Sequence, residues 1–208
     1  MENTEIKRLD DTLKRRFVYV IGTARGGSWL LLETLRLSDE ILALPYMTHF
    51  ANQVWRYRKK VHPRLLNQIF RMPCLDEFKS IDSLDEETGA WLKKQINRGL
   101  ASGDMRAMWR LYPLIHALGP GNDKKVENIR CWADKANDVS FLGEIAQNFQ
   151  EARFIFIVRD PRASIYSLSK RSAKTADSAN TDWKSHVAAS SIYWRRMVQA
   201  MLLFSRRH

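Results

Sequence analysis

Apolar and polar positions divide the chain into two kinds of segment. Apolar runs rich in β-branched and aromatic residues predict buried strands, at 17–22 (FVYVIG), 40–45 (EILALP) and 153–158 (RFIFIV), and a shorter strand with a charged rim at 128–135. Segments with helical periodicity predict helices, at 28–37, 140–150, 161–171 and 182–206. The charged lead-in 1–16 is assigned as helical as well, and 46–119 is helical in texture.

Strands that alternate with helices, each strand largely apolar, indicate an α/β fold with a parallel sheet covered on both faces. We expect one domain over 1–208, with a large helical insertion at about 46–119. In such sheets, ligands bind beyond the carboxyl ends of the strands. The loops after residue 22 and after residue 158 both leave strands at that edge.

Composition and charge limit the classes of protein and ligand that this fold is compatible with. The chain has 208 residues, a net charge of +11 and a pI of about 9.9, so it should attract anionic ligands, but it carries no specific nucleic-acid motif. No apolar run is long enough for a membrane span, and the N-terminus lacks the apolar region of a signal peptide. Cys74 and Cys131 form no CxxC pair, which favours ordinary thiols in a reducing compartment. These features predict a cytoplasmic protein.

The turn after the first strand has the spacing of a phosphate-binding loop, with Gly22 and Gly27 five residues apart. A nucleotide hydrolase would continue with Lys and Ser/Thr, but here Ser28 and Trp29 follow. Arg25 instead puts a cation inside the loop. We therefore expect phosphate binding without a metal, by Arg25, Ser28 and backbone N–H groups. A glycine-rich turn that holds no ligand is the alternative.

A second cluster follows the strand 153–158. Arg159 stands at the end of that strand, and Ser167 lies two helical turns into the next helix, so both can reach one anion at the sheet edge. Asp160 and Arg162 suit a local ion pair or a helix cap. The alternative for Arg159 is a surface salt bridge. Two anion sites at one edge indicate a ligand with two separated phosphate-like groups.

The motifs GTARGGSWLL, DK and FIFIVRDPRASIYSL together resemble the sulfotransferases that use 3′-phosphoadenosine 5′-phosphosulfate (PAPS). The resemblance covers residues 17–37 and 128–171. It implies a P-loop-like fold and a transfer of the sulfuryl group to a hydroxyl or amine. It also implies cofactor-binding roles for Arg25, Gly26, Gly27, Ser28 and Trp29 at the 5′-phosphosulfate, and for Arg159 and Ser167 at the 3′-phosphate of PAPS or of adenosine 3′,5′-bisphosphate.

The chain departs from the family pattern in two respects. Gly26 replaces a usual serine and Trp29 a usual serine or threonine, so two hydroxyl donors are absent. Family members also continue past the long helix, with a further strand and a basic loop, whereas this sequence stops at 204–208 (FSRRH). The resemblance thus implies a truncated chain, or one whose site is completed by another segment or subunit.

Three residues are candidates for the transfer chemistry. Arg25 would lie beside the leaving phosphate, and Lys135 resembles a family lysine near the reacting centre, with an ordinary exposed lysine as the alternative. His49 is the candidate base, because histidine titrates near neutral pH; a structural histidine is the alternative. His116 is a weaker candidate.

The acceptor is expected on the helical insertion. A basic cluster there suits an anionic glycan or a small molecule, although a solvated helix face explains it equally well: Arg56, Arg58, Lys59, Lys60 and Arg64. Two other functions stay open. One is a divergent nucleotide kinase, but the residues after Gly27 argue against it because the lysine and the serine or threonine of a kinase are absent. The other is a non-catalytic basic module that binds nucleotides or polyanions, and these residues do not argue against it. The sequence does not indicate the oligomeric state.

Overall fold

A computed structural model describes residues 3–44, 84–102, 105–119, 122–149, 151–175 and 183–208. Within them four strands form one all-parallel sheet in the order β2-β3-β1-β4. The strands are β1 (Phe17–Gly22), β2 (Ile41–Ala43), β3 (Cys131–Ala136) and β4 (Arg153–Ile157). The predicted α/β fold with a parallel sheet is confirmed.

Helices cover the sheet and connect its strands. The described helices are α1 (Asn3–Arg15), α2 (Ser28–Arg36), α3 (Glu86–Ser102), α4 (Met105–Leu118), α5 (Leu142–Asn148), α6 (Pro161–Thr175) and α7 (Trp183–Ser205), with a 3₁₀ turn at Val126–Asn128. The helices α3 and α4 occupy part of the region predicted as the helical insertion. Within that region, residues 46–83 and 103–104 lie outside the described residues.

The two faces of β1 enter different cores, because successive side chains of a strand point to opposite sides. Phe17, Tyr19 and Ile21 join the larger core on one face. Val18 packs on the other face, against the smaller core around Leu32 of α2. This two-sided burial explains why the strand is apolar at every position.

The larger core is anchored by aromatic stacking between the two central strands. The rings of Phe17 and Trp132 stack with centroids 4.0 Å apart, and Trp109 of α4 meets Phe17 edge-on at 5.4 Å. The indole N–H of Trp132 donates to the Leu13 carbonyl of α1 at 2.9 Å. The lead-in helix α1 is therefore an integral part of the core.

The strand order brings the functional loops together. The chain runs from β1 to β2 on one side of the sheet, and then from β3 to β4 across β1. The connection that leaves β1 and the connection that leaves β3 therefore run in opposite directions along the sheet. Where the direction reverses in this way, a crevice forms beyond the carboxyl ends of the strands. The loops that follow β1, β3 and β4 all open into this crevice.

Candidate functional site

A cleft of about 480 Å³ lies at the carboxyl ends of β1, β3 and β4. Its wall comes from the loop after β1 and the start of α2, from the end of β3, from the second residue after β4, and from α6. The residues that line it are Ala24, Arg25, Gly27, Ser28, Trp29, Leu30, Lys135, Asn137, Arg159 and Arg171. Most of the sequence-predicted residues of both loops thus meet at one site, whereas Gly26 and Ser167 are not among its lining residues.

The loop after β1 is a tight turn. The N–H of Gly26 donates to the Thr23 carbonyl at 2.8 Å. Arg25 has a φ of 66° and Gly27 a φ of 101°, so both adopt the left-handed region, which costs a non-glycine residue about 1–2 kcal/mol. Gly27 caps α2 and offers no side chain to its first turn. The backbone N–H groups at the start of α2 consequently have no side-chain cap, and the residues 27–30 that carry them line the cleft.

Gly26 is required by close packing inside this turn. A Cβ atom added there would lie 2.7 Å from the Thr23 carbonyl oxygen and 3.0 Å from the Thr23 Oγ1 atom. The Thr23 hydroxyl is itself buried and has no hydrogen-bond partner in the described part of the chain. The absence of the serine that the resemblance led us to expect at position 26 therefore has a steric cause.

The two loops are joined directly to each other. The Nε–H of Arg25 donates to Ser167 Oγ at 3.0 Å, and a guanidinium N–H of Arg159 donates to the Arg25 carbonyl at 3.1 Å. The sequence assigned Arg25 and Ser167 to opposite ends of a cofactor, yet their side chains touch. A serine hydroxyl that accepts one hydrogen bond still has its own proton to donate. Ser167 can therefore bind Arg25 and an anion simultaneously.

Asp160 and Arg162 form the expected local pair. The Asp160 carboxylate accepts from the backbone N–H of Arg162 at 2.8 Å and from its guanidinium at 2.6 Å. The side-chain and backbone hydrogen bonds from Arg162 lower the pKa of Asp160 to about 2. Asp160 is thus the ionised N-cap of α6, and the adjacent Arg159 makes its contact with the loop after β1.

Lys135 is buried rather than exposed, contrary to the alternative considered for it from the sequence. It is the penultimate residue of β3, and only 7% of its surface is accessible. Burial lowers its pKa, and the neighbouring Asp134 partly offsets this shift. Its Nζ atom lies 5.6 Å from the centre of the Trp29 ring, which is within the range of a cation–π contact. The Trp29 ring therefore forms part of the cleft wall beside Lys135, at the position where the family resemblance led us to expect a serine or threonine hydroxyl.

The cleft carries one sign of charge. Four cationic side chains line it (Arg25, Lys135, Arg159 and Arg171), and no carboxylate is among the lining residues that the structure describes. Arg171 was missed from the sequence. It follows Ser167 by four positions on α6, a spacing that puts both side chains on one helix face. The sequence alone could therefore have identified Arg171 as a site residue, from its spacing to Ser167.

A second missed feature is the support from α7. The Tyr193 hydroxyl donates to the Asn137 carbonyl at 3.1 Å and accepts from the Ala24 N–H at 3.3 Å, so it bridges the loops after β3 and β1. The indole N–H of Trp194 donates to the Arg159 carbonyl at 3.3 Å. Burial raises the pKa of Tyr193, which keeps its proton in place for this bridge. No local sequence signal could have linked positions 169 residues apart.

The sequence offers two histidines as candidate bases, His49 and, less strongly, His116. His49 and the basic cluster at 56–64 lie outside the described residues. His116 is buried within α4 and does not line the cleft. In the described ranges, no group of three or more histidine, cysteine, aspartate or glutamate side chains is arranged to hold a metal ion.

Comparison with known families agrees with the site. A model described as "Sulfotransferase family" matches residues 18–208, so the chain belongs to the sulfotransferase family. Neither a search of curated proteins nor a search of solved structures gave a match. Within the part of the chain that the structure describes, no helix is long and apolar enough to span a membrane.

Proposed function

We propose that this protein transfers a sulfuryl group from PAPS to a hydroxyl or amine acceptor. One observation carries the proposal: a cleft opens at the carboxyl edge of the sheet, and its described lining residues include four cations and no carboxylate. An anionic ligand in such a cleft is attracted by every charged wall. A kinase that carries Mg²⁺ with its nucleotide usually places carboxylates or a hydroxyl near the metal, and Trp29 stands where that hydroxyl would be.

The residues present fit a ligand with two anionic groups. We assign Arg25, Gly26, Gly27, Ser28 and Trp29 to the 5′-phosphosulfate. Gly27 leaves the first N–H groups of α2 without a side-chain cap, and such N–H groups bind anions well. The buried Thr23 hydroxyl, which has no partner among the described residues, is a further donor at the base of the loop.

We assign Arg159 and Ser167 to the 3′-phosphate. Arg171 lies one turn beyond Ser167 and adds a second positive charge, after Arg159, at this end of the cleft. Because Arg25 contacts Ser167 at 3.0 Å, the two ends share one hydrogen-bond network. A guanidinium has five N–H donors, so Arg25 can keep this contact and bind phosphate as well.

The cofactor supplies an activated sulfuryl group whose transfer leaves negative charge on its 5′-phosphate. Arg25 and Lys135 stabilise that growing charge. Lys135 is well suited to this role because burial has already removed much of its water, and a charge acts more strongly at low dielectric. Burial lowers the pKa of Lys135, and an anion bound beside it would raise that pKa again and favour the charged form.

The acceptor loses a proton to a base as it attacks. We propose His49 for this role and the helical region at 46–119 as the acceptor side. The acceptor is an anionic glycan or a small molecule.

Transfer is tested by incubating the full chain with ³⁵S-labelled PAPS and a panel of glycan, phenol and amine acceptors. We expect labelled product and release of adenosine 3′,5′-bisphosphate in equal amounts. Arg25→Ala should reduce transfer more than it weakens binding of the bisphosphate, because the charge on the leaving group grows in the transition state. Arg25→Lys should retain part of the activity, since the point charge remains.

Two outcomes would contradict the proposal. One is thermal stabilisation by ATP with Mg²⁺ and none by adenosine 3′,5′-bisphosphate, because a ligand that binds the folded state stabilises it. The other is equal loss of binding and transfer in Arg25→Ala, which would give that residue no special role in the transition state.

A further inference from the structure

A second positively charged region lies at the opposite edge of the sheet from the cleft. Helix α1 ends beside the start of β1, and residue 130 precedes the start of β3. Between them runs a groove of about 580 Å³. We call it the basic groove, and the charged residues that line it are Lys7, Arg8, Asp11, Arg15, Arg16 and Arg130.

The charge of the basic groove is only partly neutralised. Five cations face one lining carboxylate, Asp11, which already pairs with Lys14 at 3.0 Å. Arg16 pairs with Glu151 at the long distance of 3.8 Å. Lys7, Arg15 and Arg130 form no ion pair with any described residue. Lys7 and Arg15 nevertheless share the Asp11 carboxylate: the hydrogen bond from Lys14 lowers its pKa most, and their charges help to lower it. With five cations to this one carboxylate, the groove keeps an excess of positive charge.

Helical spacing arranges these charges along one side of α1. Its opposite side is committed to the core through Ile6, Leu9 and Leu13, which are all at most 3% exposed. The cationic side chains between positions 7 and 15 extend over about 12 Å of helix. Such a row fits several anionic groups in sequence better than it fits one small anion.

The basic groove is separate from the cofactor cleft. It lies at the amino ends of the strands, whereas the cleft lies at their carboxyl ends. The six residues of β1 between them span about 20 Å. The match to the sulfotransferase family begins at residue 18, so most of the groove precedes the matched part of the chain.

We propose that the basic groove binds a linear anionic glycan that carries sulfate or carboxylate groups. Among the described residues, no aromatic side chain lines the groove, so these residues offer the bases of a single-stranded nucleic acid no stacking partner. A groove fits a thin chain better than a convex duplex or a flat membrane. The apolar face of α1 is also buried and cannot insert into lipid. This site is independent of the transfer reaction proposed above.

The test measures binding of a heparin dodecasaccharide to the full chain over a range of salt concentrations. The groove variant carries Lys7→Gln, Arg15→Gln and Arg130→Gln. The control removes the same charge from exposed positions elsewhere, with Arg195→Gln, Arg196→Gln and Arg207→Gln. We expect the groove variant to bind about tenfold or more weakly, with a logarithmic salt slope reduced by about 2. The control should change less than about twofold.

Several outcomes would overturn the proposal. These are absence of heparin binding to the unaltered chain, equal losses in both variants, and tighter groove-dependent binding of duplex DNA or phosphatidylserine vesicles. A footprint guards against a folding defect in the variant: heparin should protect Lys7, but not Lys94 of α3, from acetylation in the unaltered chain. Equal protection of both lysines would also overturn it. Titration with adenosine 3′,5′-bisphosphate in parallel tests the cofactor site separately.

Discussion

Replacement of Gly26 by alanine tests the geometry of the phosphate loop. The added Cβ atom would lie 2.7 Å from the Thr23 carbonyl oxygen, whereas ordinary contact begins at 3.4 Å. The carbonyl would therefore have to move by roughly 0.7 Å, a typical response to overpacking. It belongs to backbone, so no flexible side chain can absorb the clash.

Two losses combine in this variant. Overpacking costs about 1–3 kcal/mol. The carbonyl also accepts the 2.8 Å hydrogen bond from the Gly26 N–H, and weakening that bond costs about 0.5–1.5 kcal/mol. We expect a total of roughly 1.5–4.5 kcal/mol, which corresponds to a melting temperature lower by roughly 3–18 °C for a protein of this size.

Gly143→Ala is the matched control. Gly143 lies in α5, and a Cβ atom there meets nothing within 4 Å. Alanine is the better helix former by about 0.5–1 kcal/mol, so this variant should melt at a slightly higher temperature. The same change from glycine to alanine should thus have opposite signs at the two positions.

The assay combines calorimetric melting with titration of adenosine 3′,5′-bisphosphate. Gly26→Ala should weaken binding at least about tenfold, because displacement of the turn moves the N–H groups that face the anion, and each hydrogen bond to a charged group contributes about 1.5–3 kcal/mol. Gly143→Ala should bind normally. Melting and binding of Gly26→Ala that match the unaltered chain would refute the described turn. Recovery of binding in Gly26→Ser would show that the missing hydroxyl, and not the steric limit, governs this position.

Three further predictions concern the walls of the cleft. Arg159→Ala should weaken bisphosphate binding more than Ser167→Ala, since a charged hydrogen bond contributes about 1.5–3 kcal/mol and a neutral one about 0.5–1.5 kcal/mol; equal losses by calorimetry would contradict the assignment. Because burial lowers the pKa of Lys135 and a bound anion raises it, binding at alkaline pH below the ordinary lysine pKa should take up protons. Titrations in buffers of different ionisation enthalpy should detect this uptake, and it should be absent in Lys135→Arg; uptake of the same size in both would exclude Lys135 as its source. Tyr193→Phe removes the bridge between the two loops, so it should lower the free energy of unfolding by about 1–3 kcal/mol and weaken bisphosphate binding. The control Tyr166→Phe, at an exposed tyrosine, should change neither quantity by more than about 0.5 kcal/mol. Equal denaturation midpoints for the two variants would refute the bridge.

Local patterns were sufficient for most of the fold. The run at 17–22 was recognisable because both faces of this central strand are buried. The run at 153–158 was recognisable by its apolar and β-branched residues, but it forms the edge strand Arg153–Ile157, which is half-buried and not buried as predicted. The strand predicted at 128–135 begins three residues later and ends one residue later, at Cys131–Ala136. The strand predicted at 40–45 narrowed to Ile41–Ala43.

The site was predictable where its residues follow strands. Arg25 and Arg159 were identified because loops at one edge of a parallel sheet converge. The hydrogen bond between Arg25 and Ser167 was not predictable, since it depends on the left-handed backbone of Arg25 and on how α6 leaves the sheet. Tyr193 was missed because a polar tip on a long helix has no distinctive spacing. Its role arises only from the packing of α7 against the loops.

The most direct test of the central claim is calorimetric titration of the full chain with adenosine 3′,5′-bisphosphate in the presence of EDTA. We predict binding of one nucleotide per chain, tighter than that of AMP, because AMP lacks the 3′-phosphate that Arg159 and Ser167 are proposed to bind. Loss of a charged hydrogen bond of about 1.5–3 kcal/mol corresponds to roughly 10- to 150-fold. Equal affinity for the two nucleotides, or binding that requires Mg²⁺, would contradict the account.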